Sequence, residues 1–368
     1  MSGSDVTKDG IHGARPDREA TVGVNAGRAG GGGGRRRRGG AERAMVPDAQ
    51  FTSYYGKPII NSPVWEAPDI PGYLFLGGLA GAGSVLAAGA ELTGRPALAR
   101  ACKVGAFGAV SAGLVGLVHD LGKPERFLNM LRTFKPTSPM SVGSWVLAGY
   151  GPAAGVAAAS AVTGLLPTIG RAATAGAAVL GPAVASYTAA LISDTAVPAW
   201  HDGFREMPFV FVGSAASAAA GLGMFAAPVG ENAPARRLAV LGAALELTAS
   251  KRMEHRMGPV AEPYHHGRSG MMMRTAEAMT IAGSIGGLLL AGRSRVAATV
   301  SGAALLAASA LTRFAIFEAG MVSADNPDYT VGPQRERLAR RQPAGAAAVS
   351  APGRHRSAAD VPSNNQGA

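Results

Sequence analysis

A single cysteine in 368 residues, Cys102, removes two classes of chemistry. A disulfide needs two thiols and an iron–sulfur cluster about four thiolate ligands, so this chain holds neither alone. Cys102 reads instead as a small buried residue, the common fate of a free cysteine. Histidine is scarce where haem would require it. None of the seven falls inside an apolar stretch: His12 and His355 are near the ends, His119 closes the second stretch, and His201, His255, His265 and His266 fall between stretches. A haem buried among helices takes axial ligands from within them, so no haem is expected. The pair His265-His266 has no cysteine or carboxylate at ligand spacing, and no metal is expected either.

Aromatics are also few, at 6%, although the net charge is +11. Arginines without interleaved aromatics do not favour nucleic acid as a partner, and basic flanks beside apolar stretches answer to lipid headgroups or topology. The polar residues concentrate at the two ends. Residues 1–54 contain Gly30–Gly34 followed by Arg35–Arg38, and residues 323–368 are rich in Arg, Ala, Pro and Ser. Neither composition buries a core, so both are expected to be disordered. No short apolar segment with a small-residue cleavage site follows Arg35–Arg38, which argues against a twin-arginine export signal.

What the middle has in abundance is apolar length. Eight stretches, at about 70–91, 101–119, 142–165, 172–193, 207–227, 235–250, 275–292 and 296–318, approach or exceed the roughly 20 residues that span a bilayer as helix. The expected fold is all-α, a polytopic membrane bundle of about eight transmembrane helices over 55–322. Gly77, Gly78, Gly81 and Gly83, with Gly283, Gly286 and Gly287, read as helix-packing residues, and Gly77-x-x-x-Gly81 as an intrachain contact. The connections alternate between short and long. The short ones are flanked by Arg95, Arg100, Lys103, Arg171, Arg236, Arg237, Arg293 and Arg295, against Glu91 and Glu231. By the positive-inside rule these face the cytoplasm, which puts the termini and long loops on the extracytoplasmic side of the cell membrane.

Ionisable residues within spans carry the next signal, since a charge at the bilayer centre costs about 2.5–3.5 kcal/mol even on lenient scales. Glu246 in the sixth stretch is the sharpest case, with Arg313 in the eighth and Glu277 near the start of the seventh as companions. A proton path and a buried ion pair or hydrogen-bonded network both account for them. In the long connection 119–141, Phe127, Leu128, Leu131 and Phe134 recur at helical spacing between prolines, which predicts a short interfacial helix.

Several segments in order resemble one family. Tyr73-Leu-Phe-Leu-Gly-Gly-Leu-Ala-Gly81, Asp120-Leu-Gly-Lys-Pro-Glu-Arg-Phe127, Ser138-Pro-Met-Ser-Val-Gly-Ser-Trp145, and Tyr187-Thr-Ala-Ala-Leu followed by Pro198-Ala-Trp200 resemble the polysulfide reductase and nitrite reductase membrane subunits, the NrfD/PsrC family, over about 55–320. The resemblance implies the membrane anchor of an oxidoreductase complex. It would exchange electrons and protons with a quinone, menaquinone or ubiquinone, and its partners would be a four-cluster iron–sulfur protein and a molybdopterin catalytic subunit. Quinone reduction needs donors at two carbonyls and a proton source. Near the long-loop ends, Tyr73 and Tyr187 are the candidate donors and His119 with Asp120 the proton-exchanging pair, with Trp145 and Asp194 alongside. Each has an alternative role as an interfacial anchor or helix-end residue. The competing function is a secondary transporter or ion-conducting subunit without redox exchange.

Overall fold

The computed structural model describes residues 6–7, 10–11, 59–61, 63–120 and 129–341. The stretches expected to be disordered lie largely outside them. Within the N-terminal unit, Met1–Gly56, the described residues are Val6–Thr7 paired antiparallel with Gly10–Ile11. The other unit is helical throughout its described residues, as the apolar pattern predicts.

Eight long helices appear where eight stretches were expected: α1 (Asp69–Leu92), α2 (Pro96–Asp120), α3 (Pro139–Thr163), α4 (Pro167–Ser193), α5 (Met207–Ala226), α6 (Ala233–Met257), α7 (Gly267–Leu289) and α8 (Arg295–Asp325). Six of them, α1 to α5 and α8, are long and apolar enough to cross a membrane. The other two have the length, but α6 carries Arg236, Arg237, Glu246, Lys251, Arg252, Glu254 and Arg256, and α7 carries Arg268, Arg274 and Glu277.

Proline and glycine punctuate the helices as their backbone limits require. Proline opens α2, α3 and α4, where its missing N–H costs nothing. Ser138 caps α3 by accepting from the Ser141 N–H. Gly164 (φ 75°) ends α3 and Gly258 (φ 58°) ends α6, both in a region that penalises a side chain. The sequence placed the end of the sixth helix at 250 and the start of the seventh at 275. The structure extends them to Met257 and back to Gly267, leaving a connection of residues 258–266. Lys, Arg, Glu and Met are good helix formers, so the helices continue past the point where hydropathy falls.

Two further segments depart from expectation. Residues 121–128 lie outside the described residues, and Asn129–Met130 is helical, but the chain leaves the helix before Phe134. Pro136 and Pro139 bias the preceding backbone away from helix. Ser141 holds the turn by accepting from the Lys135 N–H and donating to the Thr133 carbonyl. Within 323–368, α8 runs on to Asp325 and a further helix, α9 (Asp328–Arg341), follows. Asn326 accepts from the Asp328 N–H at its start, and the Tyr329 hydroxyl donates to Glu262 at 3.2 Å.

The eight helices form two rings of four. In the first, α1 packs on α2 and α4, and α3 on α2 and α4; in the second, α5 packs on α6 and α8, and α7 on α6 and α8. The rings meet through α1 against α5 and α8, with α2 and α4 also touching α5. Small residues set these contacts, because in lipid close backbone approach replaces hydrophobic exclusion as the source of affinity. Gly81 faces Gly181 where α1 crosses α4, and Gly221 faces Gly302 where α5 crosses α8; at each, a methyl group would overlap the opposing carbonyl region. Both rings thus close between first and last helix at a glycine pair. Gly77 takes no part in such a crossing.

Charged side chains tie the loops down. Glu231 accepts from the Ala97 and Leu98 N–H groups at 2.8 and 3.0 Å, capping α2 from the other ring. Arg295 donates to the last carbonyls of α5 at Met224, Phe225 and Ala227. At the opposite face Arg256 grips the buried Glu206 carboxylate through contacts of 2.6–3.0 Å and bonds the Asp202 carbonyl.

Gly81→Ala is expected to lower stability by about 1–3 kcal/mol through overpacking. Gly89→Ala on the same helix, where a methyl meets nothing within 4 Å, should be neutral or stabilising; thermal unfolding in detergent followed by size exclusion distinguishes them. The hydrogen bonds and charge of Arg256 hold the Glu206 carboxyl below the usual carboxylate range, against the opposing effect of burial. Its contribution to stability is therefore full above that range and lost as pH falls through the folded-state value. Unfolding temperature measured from pH 7 down to about pH 3 should fall more steeply in the wild type than in Glu206→Gln, which is expected to be less stable at pH 7.

Candidate functional site

A cavity of about 110 Å³ opens at the long-loop ends of α1 to α4. Each helix contributes its terminal turns: Ile70, Tyr73 and Leu74 from α1, Leu117 and Asp120 from α2, Met140, Ser144 and Leu147 from α3, and Tyr187, Leu191 and Ile192 from α4, with Met130 and Trp65 from the connecting segments. The lining is mostly aliphatic, aromatic and thioether, with one carboxylate and three hydroxyls. That is the composition of a site for a flat, largely apolar molecule held by a few polar contacts.

The polar groups are positioned by their elements. Tyr73 sits one turn into α1, almost wholly buried. The Tyr187 ring packs directly against Gly143, where any side chain would overlap it, so the absence of a Cβ on α3 makes room for the second phenol. Among the described residues neither phenolic oxygen has a hydrogen-bond partner, which leaves both available to a ligand. Asp120, the last residue of α2, accepts from the Glu66 N–H at 3.2 Å through Oδ1. The Ser144 hydroxyl is engaged by the Met140 carbonyl at 2.9 Å and approaches Met130 Sδ at 3.6 Å.

Three of the six residues expected near a quinone therefore line one cavity: Tyr73, Asp120 and Tyr187. The other three stand apart from its lining. The His119 side chain is 75% exposed and pairs through Nδ1 with Asp69 Oδ2 at 2.5 Å, instead of with Asp120. Trp145 is half exposed and meets Phe134 edge-on at 6.3 Å. Asp194 is exposed at the C-terminus of α4, its N–H bonded to the Ala190 carbonyl. Asp69 stands 50 residues before His119, a pairing no local spacing reveals.

Trp65 is a lining residue that sequence reasoning missed. It stacks on Trp200 at 5.5 Å with 21° between the rings, and Trp200 leans on Phe317 at 5.8 Å. Trp200 is fully buried, lies over Gly320, and donates its indole N–H to the Ile316 carbonyl at 2.7 Å. The cavity wall is thus braced by the last helix of the other ring. A lone tryptophan five residues before a predicted span was the available signal.

The buried charges lie behind this wall. Arg313 is 1% exposed. Its Nη2 donates to the Phe211 carbonyl at 2.8 Å and its Cζ stands 3.8 Å from the Phe211 ring centre. A methyl on Gly78 would lie 3.5 Å from the same Nη2, and Gly78 is one turn beyond cavity-lining Leu74, about 6 Å along the helix. Glu246 is 4% exposed and accepts from the Thr312 hydroxyl at 2.9 Å. Among the described residues no ion pair joins Glu246 to Arg313. Glu246 Oε2 and Arg313 Nε and Nη1 have no hydrogen-bond partner there. Glu277 pairs with Lys251 at 3.1 Å, nearer the long-loop face.

Among the described residues no group of three or more His, Cys, Asp or Glu could hold a metal ion. A comparison with curated proteins gives no match. A family model described as polysulphide reductase, NrfD, matches residues 59–237, a segment that takes in the whole first ring, the cavity and α5 and stops within α6. Over that segment the chain is similar to the NrfD family of polysulphide reductase membrane proteins, whose members are multi-pass membrane subunits of quinone-interacting oxidoreductase complexes.

Proposed function

We propose that the cavity between α1, α2, α3 and α4 binds the head of a membrane quinone, menaquinone or ubiquinone. In this reading the chain exchanges electrons and protons between that quinone and a four-cluster iron–sulfur protein docked on the long-loop face, with a molybdopterin catalytic subunit beyond it. The observation that carries the reading is the convergence of Tyr73, Tyr187 and Asp120 in one mostly apolar cavity, where neither phenol has a hydrogen-bond partner among the described residues. Quinone supplies two-electron, two-proton chemistry when bound. Tyr73 and Tyr187 would each donate to a carbonyl oxygen. Asp120 is a carboxyl group within the cavity able to exchange a proton with a quinone oxygen, and the His119 and Asp69 pair lies near the same end of α2. Trp145 and Asp194 belong to the rim of that face.

Glu246 and Arg313 are read as a hydrogen-bonded structural group at the junction of the two rings, and Glu277 as the partner of Lys251. A secondary transporter would use helices broken near the midplane, whereas α3 and α4 run unbroken through Pro152 and Pro182. The basic short loops support a cytoplasmic position for that face, with the termini outside.

Each phenol-to-quinone hydrogen bond is worth on the order of 1–1.5 kcal/mol, so Tyr73→Phe and Tyr187→Phe are each expected to raise the KM for quinone roughly tenfold. Steady-state kinetics of the purified complex with quinone extracted from the same preparation test this. Unchanged KM and unchanged bound quinone in both variants would remove the cavity as the quinone site.

A further inference from the structure

Lys103 lies inside α2, about two turns from its start, with 9% of its side chain exposed. An unpaired ammonium at that depth is costly. Its Nζ stands 2.9 Å from Oε2 of Glu91, whose side chain is 30% exposed in the last turn of α1 at the short-loop face. Lys103 also borders a small, partly open space of about 10 Å³ together with Ser84 and Thr174, close to the minimum of about 10–15 Å³ that holds one water. The Ser84 hydroxyl is 2.8 Å from that of Tyr150, and Tyr150, fully buried, donates to the Ala80 carbonyl at 2.6 Å. The Tyr150 hydroxyl can thus donate toward either neighbour.

Toward the cavity, Gly77 is buried, yet a methyl group on it would meet no atom within 4 Å. One turn further along the same helix is Tyr73. Polar groups and open space therefore follow one another along a single helix, at Tyr73, Gly77, Ala80 with Tyr150, Ser84, and Glu91 with Lys103. The 18 residues from Tyr73 to Glu91 rise about 27 Å, nearly the thickness of the hydrocarbon, about 30 Å.

We infer that these groups form a proton route through the first ring, from Glu91 at the short-loop face to the quinone cavity at the long-loop face. The inference rests on the quinone reading of that cavity. Reduction of one quinone takes two electrons from the iron–sulfur partner and two protons, one at each carbonyl oxygen, which becomes a hydroxyl. Glu91 collects the protons at the surface, Lys103 pairs with its carboxylate and borders the small space, and Ser84 and Tyr150 relay toward Tyr73. Quinol oxidation runs the same exchange in reverse. Electrons and protons then reach the quinone from opposite faces, and turnover separates charge. The route does not involve Glu246 or Arg313.

The test uses the whole complex in liposomes with a trapped pH dye, quinone in the membrane, and a membrane-impermeant sulfonated viologen as external reductant, so that only complexes with the long-loop face outward react. The wild type should make the interior alkaline during turnover. Tyr150→Phe, Ser84→Ala and Glu91→Gln should each slow turnover roughly tenfold, the scale of a lost proton-transfer group, and abolish the internal signal. Quinone retained by the purified variants should be unchanged, which separates the route from the cavity and from misfolding. Internal alkalinisation at wild-type rate in all three variants, or proton uptake by the wild type from the outside alone, would overturn the route. A wild-type complex that binds no quinone would overturn the cavity reading, and the route with it.

Discussion

The crossing of α1 and α4 at Gly81 and Gly181 is the contact on which the rest of the molecule depends. The two helices run in opposite directions, so residues before Gly81 and after Gly181 lie toward the same face. Tyr73 is 8 residues before the first glycine and Tyr187 is 6 after the second, about 12 and 9 Å along the two axes. Backbone contact at the crossing therefore sets both phenols at nearly one depth. Lipid offers no hydrophobic drive to press helices together, and only such close approach fixes their axial register. A side chain at either glycine would part the helices and separate the donors.

The second ring repeats the device with Gly221 and Gly302 but puts it to another use. Its long-loop end is filled by Met207, Met253, Met257 and Met273, all buried, where the first ring has a cavity. What it supplies is support: Ile316, Phe317 and Gly320 seat Trp200, which carries Trp65, and Arg313 reaches across to α1 at Gly78. Several basic residues that set the topology argument also have structural partners. Arg295 closes the end of α5, Arg236 bonds Asn232, and Lys103 has left the surface for Glu91. Loop arginines thus serve both membrane orientation and helix capping.

Much of this was legible in the sequence, because lipid imposes a strong one-dimensional pattern. Apolar length located eight helices with ends off by up to eight residues, and the preference of polar residues for helix ends pointed to six residues, of which Tyr73, Asp120 and Tyr187 line the cavity. What stayed hidden depends on contacts across the chain. The partner of His119 is Asp69, not its neighbour Asp120, because the start of α1 lies beside the end of α2. Trp65 gains its place only through Trp200 and α8. Glu246 and Arg313, matched by charge on paper, are directed to Thr312 and to the Phe211 carbonyl. Lys103 read as a loop-flanking charge because the second stretch was placed to begin at 101, whereas the helix starts at Pro96 and carries Lys103 about two turns inside it.

The central claim is that the quinone head sits among Tyr73, Asp120 and Tyr187 at the long-loop end of the first ring. A photoreactive azidoquinone, bound to the intact complex, crosslinked by light and mapped by mass spectrometry, tests it most directly. The account predicts label on peptides containing Tyr73, Met130, Met140 to Leu147, or Tyr187, suppressed by excess unlabelled quinone. Competable label confined to α6, α7 or α8 would contradict it.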